Sequence, residues 1–158
     1  MSEKFSYDWS RFVLRIEIAA SPERVFRAWT EANEVQSWFA NRAESEPKKG
    51  GRYYLEFLGG DIADMKFLDL RKPSRVVFTF GHKGETVAVK IRKSGKGTVC
   101  ELEQAGMSTS PKSRVHMHMG CKTGWVFFLT NLKAWLEHGV DLRSHDKKRS
   151  YNQSYVNS

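Results

Sequence analysis

A chain of 158 residues, 40% hydrophobic and 13% aromatic, holds enough apolar material for one well-filled domain without help from disulfides or metals. Its longest uninterrupted apolar run, Trp125–Leu129, is far too short to span a bilayer, and the opening Met-Ser-Glu-Lys-Phe-Ser-Tyr-Asp has no secretory apolar stretch. The net charge of +8 is uneven: residues 1–70 carry 10 Lys and Arg against 12 Asp and Glu, and residues 71–158 carry 16 against 6. Cys100 and Cys121 have neither a metal nor a redox spacing, so they are expected as two buried thiols in a reducing, cytoplasmic setting.

Residues 1–10 show no period, although Phe5 and Trp9 are candidates to pack on the domain. From Phe12 to Ala19 the alternation sets Phe12, Leu14, Ile16 and Ile18 on one face of a strand, with Arg15 and Glu17 toward water. Ser21-Pro22-Glu23 is a helix start: the serine caps, proline fits the first turn and the acid suits the positive end of the helix dipole. Val25, Phe26 and Trp29 give that helix its apolar stripe. A second start at Thr30 or Asn33 brings in Val35, Trp38 and Phe39. The charged stretch from Asn41 to Gly50 is expected to be loop.

Strands are then expected at Arg52–Leu58, Ile62–Leu70, Arg75–Phe80, Glu85–Arg92 and Thr98–Ala105, each bounded by Gly, Pro or Ser turns. Leu68 and Leu70 break the alternation of the second, which predicts a bulge or a strand covered on both faces. In the last, Cys100 and Leu102 point inward, and Glu101 and Glu103 outward, where they are expected to face Lys90 and Arg92 across the hairpin. The stretch from Val115 to Arg143 reads as one long helix, since Cys121, Trp125, Phe128, Leu129, Leu132, Trp135 and Leu136 recur at spacings of three and four. Gly139 stands where a C-terminal cap wants positive φ. Hairpin-linked strands with helices kept to one side make the class α+β with an antiparallel sheet. The domain is expected over residues 1–143, followed by a basic, polar and mobile tail over 144–158.

No nucleophile elbow, phosphate loop or paired-histidine zinc motif is present, so no catalytic residue is assigned. His116 and His118 would point about 200° apart on a helix and cannot chelate one ion there. A polar handle at the mouth of a pocket is the better reading for them. Glu56 and Tyr54 are weighed as polar groups in a cavity, against a solvent-facing position set by the alternation. His82 and Asp61 fall in turns. Arg71, Lys72, Arg75, Lys90, Arg92, Lys93 and Lys96 crowd neighbouring turns and strands; a solvated face partly neutralised by Glu101 and Glu103 is favoured over a patch for nucleic acid or an acidic partner, and no exposed aromatic row accompanies them.

In order and spacing, the strand entering Ala20-Ser-Pro-Glu-Arg-Val-Phe-Arg-Ala-Trp-Thr, then Trp38-Phe39, Gly50-Gly51, Pro73-Ser-Arg-Val-Val-Phe-Thr-Phe, Gly97-Thr98, Gly124-Trp125 and Leu136-Glu-His-Gly resemble the activator of heat-shock protein 90 ATPase homologue family, within the START-like superfamily. The resemblance covers about Val13 to Arg143. It implies a helix-grip fold: a curved antiparallel sheet of about six strands wrapped around a long C-terminal helix, with two short helices after the first strand and an elongated cavity between. It also implies non-enzymatic binding of a small hydrophobic or lipid-like ligand, without cofactor or metal. Under that fold Trp29, Trp38, Phe57, Met65, Phe67, Phe78, Cys100, Leu102, Met117, Cys121, Trp125 and Phe128 face the helix–sheet space and are the candidate ligand-binding residues. Gly120 and Gly124 either leave room for a ligand or let a strand approach. The alternative function is a chaperone-regulating module that meets an ATPase chaperone through its surface. A homodimer is left open, and neither nucleic acid nor membrane insertion is expected.

Overall fold

The computed structural model describes residues 6–146 and 154–157. Among them the chain forms seven strands and three helices: β1 (Phe12–Ile18), α1 (Pro22–Thr30), α2 (Ala32–Val35), β2 (Arg42–Ser45), β3 (Arg52–Glu56), β4 (Ile62–Arg71), β5 (Arg75–Thr79), β6 (Thr86–Ser94), β7 (Gly97–Ala105) and α3 (Arg114–His138). The strands make one antiparallel sheet in the order β1-β7-β6-β5-β4-β3-β2. Its inner face carries the buried Phe12, Leu55, Met65, Phe67, Phe78, Val87, Val89, Cys100 and Leu102, and α1 and α3 lie against it. This is the helix-grip arrangement, with seven strands rather than six.

The additional strand is β2, inside the stretch expected to be loop. It has four residues, of which Ala43 alone is buried, and it pairs only with β3. A short, charged edge strand carries no alternation to read, and its charges protect the open edge from further pairing. At the other end α3 stops at His138, so the Val115–Arg143 stretch is helical up to the expected Gly139 cap and not beyond it. Gly139 is left-handed at φ 65° and donates its N–H to the Trp135 carbonyl at 2.8 Å, a cap that only a residue without Cβ takes at no cost.

Local signals around α1 hold in detail. Ser21 Oγ accepts the Arg24 N–H at 3.2 Å, and Pro22 opens the helix. The expected irregularity in β4 is a bulge between Phe67 and Asp69. Across the sheet Glu101 stands opposite Lys90, as expected, but Arg92 stands opposite Val99 and Glu103 opposite Ala88. The two glutamates are held by β1: Arg15 Nε reaches Glu101 at 2.7 Å, and Arg11 pairs with Glu103. They therefore do not neutralise Arg92.

The segment before β1 is tied down by a histidine. His118 is buried on α3; its Nε2 meets the Tyr7 hydroxyl at 2.7 Å and its Nδ1 the Trp9 carbonyl at 3.1 Å. Trp9 thus packs on the domain, whereas Phe5 lies outside the described residues. Part of the expected mobile tail, residues 147–153 and 158, also lies outside them. Asn157 is fastened back to the domain: its carbonyl accepts the Ser144 N–H at 2.9 Å and its Nδ2 donates to the Leu142 carbonyl at 3.1 Å.

Candidate functional site

A cleft of about 560 Å³ opens between α3 and the β3–β4 hairpin. Phe39, Phe57, Phe127 and Phe128 form its apolar wall, and Leu58, Gly59 and Asp61 of the hairpin form one rim. Arg143, Tyr155 and Val156 border the opposite side. The phenylalanines pack edge to face: Phe39 lies 5.2 Å from Phe57 and 4.8 Å from Phe128 between ring centroids. Such tilted packing leaves ring faces and edges presented to the opening.

The floor on the α3 side is bare backbone. Apart from their chain neighbours and the helix's own backbone, no atom lies within 4 Å of the position a Cβ would occupy at Gly120 or Gly124, so these glycines border open space rather than a closely approaching strand. Thr123, between them, turns its hydroxyl back to the Met119 carbonyl at 2.6 Å. The wall is therefore apolar, with its nearest hydroxyl already engaged.

Arg143 looks like a receptor for an anionic head group, but its donors are taken. Nη1 donates to the Ala40 carbonyl and Nη2 to the Gln36 carbonyl, each at 2.9 Å, and Nη2 also meets Asp141 Oδ2 at 2.9 Å. Asn131, fully buried on α3, completes the knot: Nδ2 donates to the Trp38 carbonyl and to Asp141, and Oδ1 accepts the Leu142 N–H at 2.7 Å. Burial alone would push the Asp141 carboxyl up. The side-chain and backbone hydrogen bonds of Arg143, with those of Asn131 and His145, outweigh it and hold the group well below the usual carboxylate range. The knot clamps the chain leaving α3 onto the α2–β2 turn, which fixes the cleft's inner rim.

The twelve residues proposed from sequence fall in two layers. Phe57 and Phe128 border the cleft. Trp125 stands directly behind, 5.2 Å from Phe39, its indole N–H donating to Gln104 Oε1 at 2.9 Å. Trp29 and Trp38 pack edge to face at 4.8 Å, with Trp38 stacked on Phe39. Phe67 stacks on Tyr53, Phe78 meets Trp29, and Met65, Cys100 and Leu102 are buried among them. Met117 and Cys121 are part-buried on α3 against the same core. Burial pushes the Cys100 thiol up to about 12, partly offset by the neighbouring Trp29 indole, and it raises Cys121 as well.

The sequence reading did not name Phe39, Phe127, Leu58, Arg143, Tyr155 or Val156 as cleft residues. Phe127 lies off the apolar stripe of α3, and Arg143 lies past the Gly139 cap, where no periodicity assigns it a place. His118 is not a handle at the cleft mouth: both of its ring nitrogens serve the segment before β1. Glu56 sits on β3 and bonds Arg42 and Tyr54 at the surface, outside the cleft wall. Among the described residues no three His, Cys, Asp or Glu side chains come together to hold a metal. No helix there is long and apolar enough to cross a membrane.

A family model described as activator of Hsp90 ATPase homolog 1-like protein matches residues 19–137. No curated protein matches by sequence. The crystal structure of SSP2350 from Staphylococcus saprophyticus superposes with a TM-score of 0.74 at 22% identity, over 84% of this chain and 96% of that one. The solution structure of the Aha1 dimer from Colwellia psychrerythraea gives 0.71 at 23% identity, over 82% and 97%. PFC0360w, an HSP90 activator from Plasmodium falciparum, gives 0.65 at 25% identity, over 80% and 96%. With the model spanning both grip elements, from the end of β1 to the end of α3, the chain belongs to the family of activator of Hsp90 ATPase homolog 1-like proteins.

Proposed function

We propose that this protein is a non-enzymatic binding protein that takes a small hydrophobic or lipid-like molecule into the cleft between α3 and the β3–β4 hairpin. The observation that carries the reading is the open, phenylalanine-walled volume above two helical glycines. A closed family of rings would bury its apolar surface; here Phe127, Phe128 and Phe57 border a volume sized for a small ligand. The Thr123 hydroxyl and the Arg143 guanidinium are engaged with the protein itself, so selection rests chiefly on shape and apolar contact, with Asp61 at the hairpin rim. The inner layer, from Trp125 to Trp29 and Trp38, supports the wall and is proposed to yield only to ligands long enough to displace Trp125.

A thermal-shift screen against fatty acids, sterols, polyketides and aromatic metabolites tests the reading. A ligand present at about 100 times its Kd adds about 2.7 kcal/mol of stability, a shift of several degrees in Tm. A dose-dependent hit is expected; a panel with no hit contradicts it. A second reading, a surface module that regulates a chaperone ATPase, is supported by the family's description and by the Plasmodium neighbour. Stimulation of a purified Hsp90-type ATPase is its test.

A further inference from the structure

The fold gathers the basic half of the sequence into one corner of the sheet. Lys72 lies in the β4–β5 turn, Lys90 and Arg92 on β6, Lys93 near its end and Lys96 in the β6–β7 turn. The turn and β6 are joined directly, since the Ile91 N–H donates to the Ser74 carbonyl at 2.8 Å. On β6 the buried Val87, Val89 and Ile91 face the core, so Lys90 and Arg92 project from the opposite, outer face, away from the cleft. Lys72, Lys90, Arg92, Lys93 and Lys96 are exposed, and the ion pairs among the described residues include none of them.

Three further observations show that this corner is not arranged for stability. Arg75 stands directly opposite Lys90 in the β5–β6 register, and like charges facing across a ladder destabilise it. Arg75 Nε is buried without a hydrogen-bond partner, and the carboxylate it pairs with among the described residues, Asp69 at 3.8 Å, is shared with Arg71. The glutamates able to neutralise the face are drawn to Arg15 and Arg11 on β1 instead.

We propose that this corner docks an acidic segment of a protein partner. It is independent of the cleft reading, since it uses the other face of the sheet. Strand spacing makes the patch about 15 Å on a side, the span of a short extended peptide and far below the roughly 1,000 Å² or more of a specific nucleic-acid interface. Asp69 is set among the cations, between Arg71 and Arg75, which penalises an unbroken row of phosphates but accommodates spaced carboxylates. No exposed aromatic stands on β4–β7 for bases to stack on.

The test is fluorescence anisotropy with a labelled synthetic peptide of alternating glutamate and glycine, alongside a short DNA duplex and phosphatidylserine-containing vesicles. Saturable peptide binding is expected, weakening about tenfold or more between about 20 and 200 mM salt. The pair Arg92→Glu with Lys96→Glu is expected to weaken it about tenfold, while Lys83→Glu with Lys112→Glu, an equal change in net charge elsewhere, leaves it within about twofold. Arg92→Gln, which removes the charge without reversing it, gives an intermediate loss and guards against misfolding of the reversed pair. Absent peptide binding, equal weakening by the two charge-reversed pairs, or tighter binding to DNA or vesicles than to the peptide overturns the proposal.

Discussion

Gly124 occupies the middle of α3 with no positive φ to require glycine and nothing within 4 Å of a Cβ position. Glycine in a helix interior costs up to about 1 kcal/mol against alanine, so the residue is held at a cost to stability. The same applies to Gly120. Gly120→Ala is accordingly expected to raise the stability of the protein by several tenths to about 1 kcal/mol in a denaturant melt; a loss of stability would mean that the space is occupied. The two thiols separate equally clearly. Cys100 is fully buried with its thiol pushed up to about 12, while Cys121 is only part-buried. One thiol is expected to react with a disulfide reagent in the native protein, slowly, and two after denaturation; two fast native thiols would contradict the packing.

At the scale of elements, the α3 exit is where the sequence was least legible and where the structure is most cross-linked. The apolar periodicity of the helix ends at Leu136 and says nothing of the chain from Val140 to Arg143. The Gly139 cap, itself readable, marks the true end. What no spacing rule could show is that Asn131 and Asp141, ten residues apart, meet around Arg143. Likewise β2 is a strand because β3 offers it an edge, not because Arg-Ala-Glu-Ser asks for one. Where the signal is local, as in the Ser21-Pro22 cap or the β4 bulge, sequence and structure agree. The Asp141 knot has a pH signature. A carboxyl held below its ordinary range stabilises the fold fully above the unfolded value, about pH 4, and that stabilisation is lost as the pH falls below it. The Tm difference between wild type and Asp141→Asn is thus expected to be largest near neutrality and to shrink on acidification below about pH 4. A difference independent of pH would show that the carboxylate charge is not what the knot uses.

At the scale of the whole molecule, the sheet separates two surfaces with different chemistry. Its inner face and α3 hold the aromatic core and the cleft, and Lys90 and Arg92 project from its outer face. The aromatic inventory forecast the first: the residues proposed from sequence assemble as one cluster, but most form the layer behind the cleft rather than its wall. Periodicity tells which side of a helix is buried, not where packing stops, and the wall is made where packing stops, at Phe57, Phe127, Phe128 and the two glycines. Relieving the facing charges on the outer surface, with Lys90→Thr, is expected to raise Tm by an amount equivalent to a few tenths of a kcal/mol at low salt, and less at high salt. A fall in Tm would mean that the Lys90–Glu101 pairing outweighs the repulsion from Arg75.

The cleft is the centre of the account, and Gly124→Leu probes it most directly. Titration of wild type and variant with the neutral fluorophore N-phenyl-1-naphthylamine, together with their melting temperatures, gives the answer in one comparison. The account predicts saturable probe binding to wild type, loss of it in the variant, and a Tm equal to or higher than wild type, since leucine fills open space and favours the helix. Unchanged probe binding in a folded variant would place the apolar site elsewhere and contradict the claim.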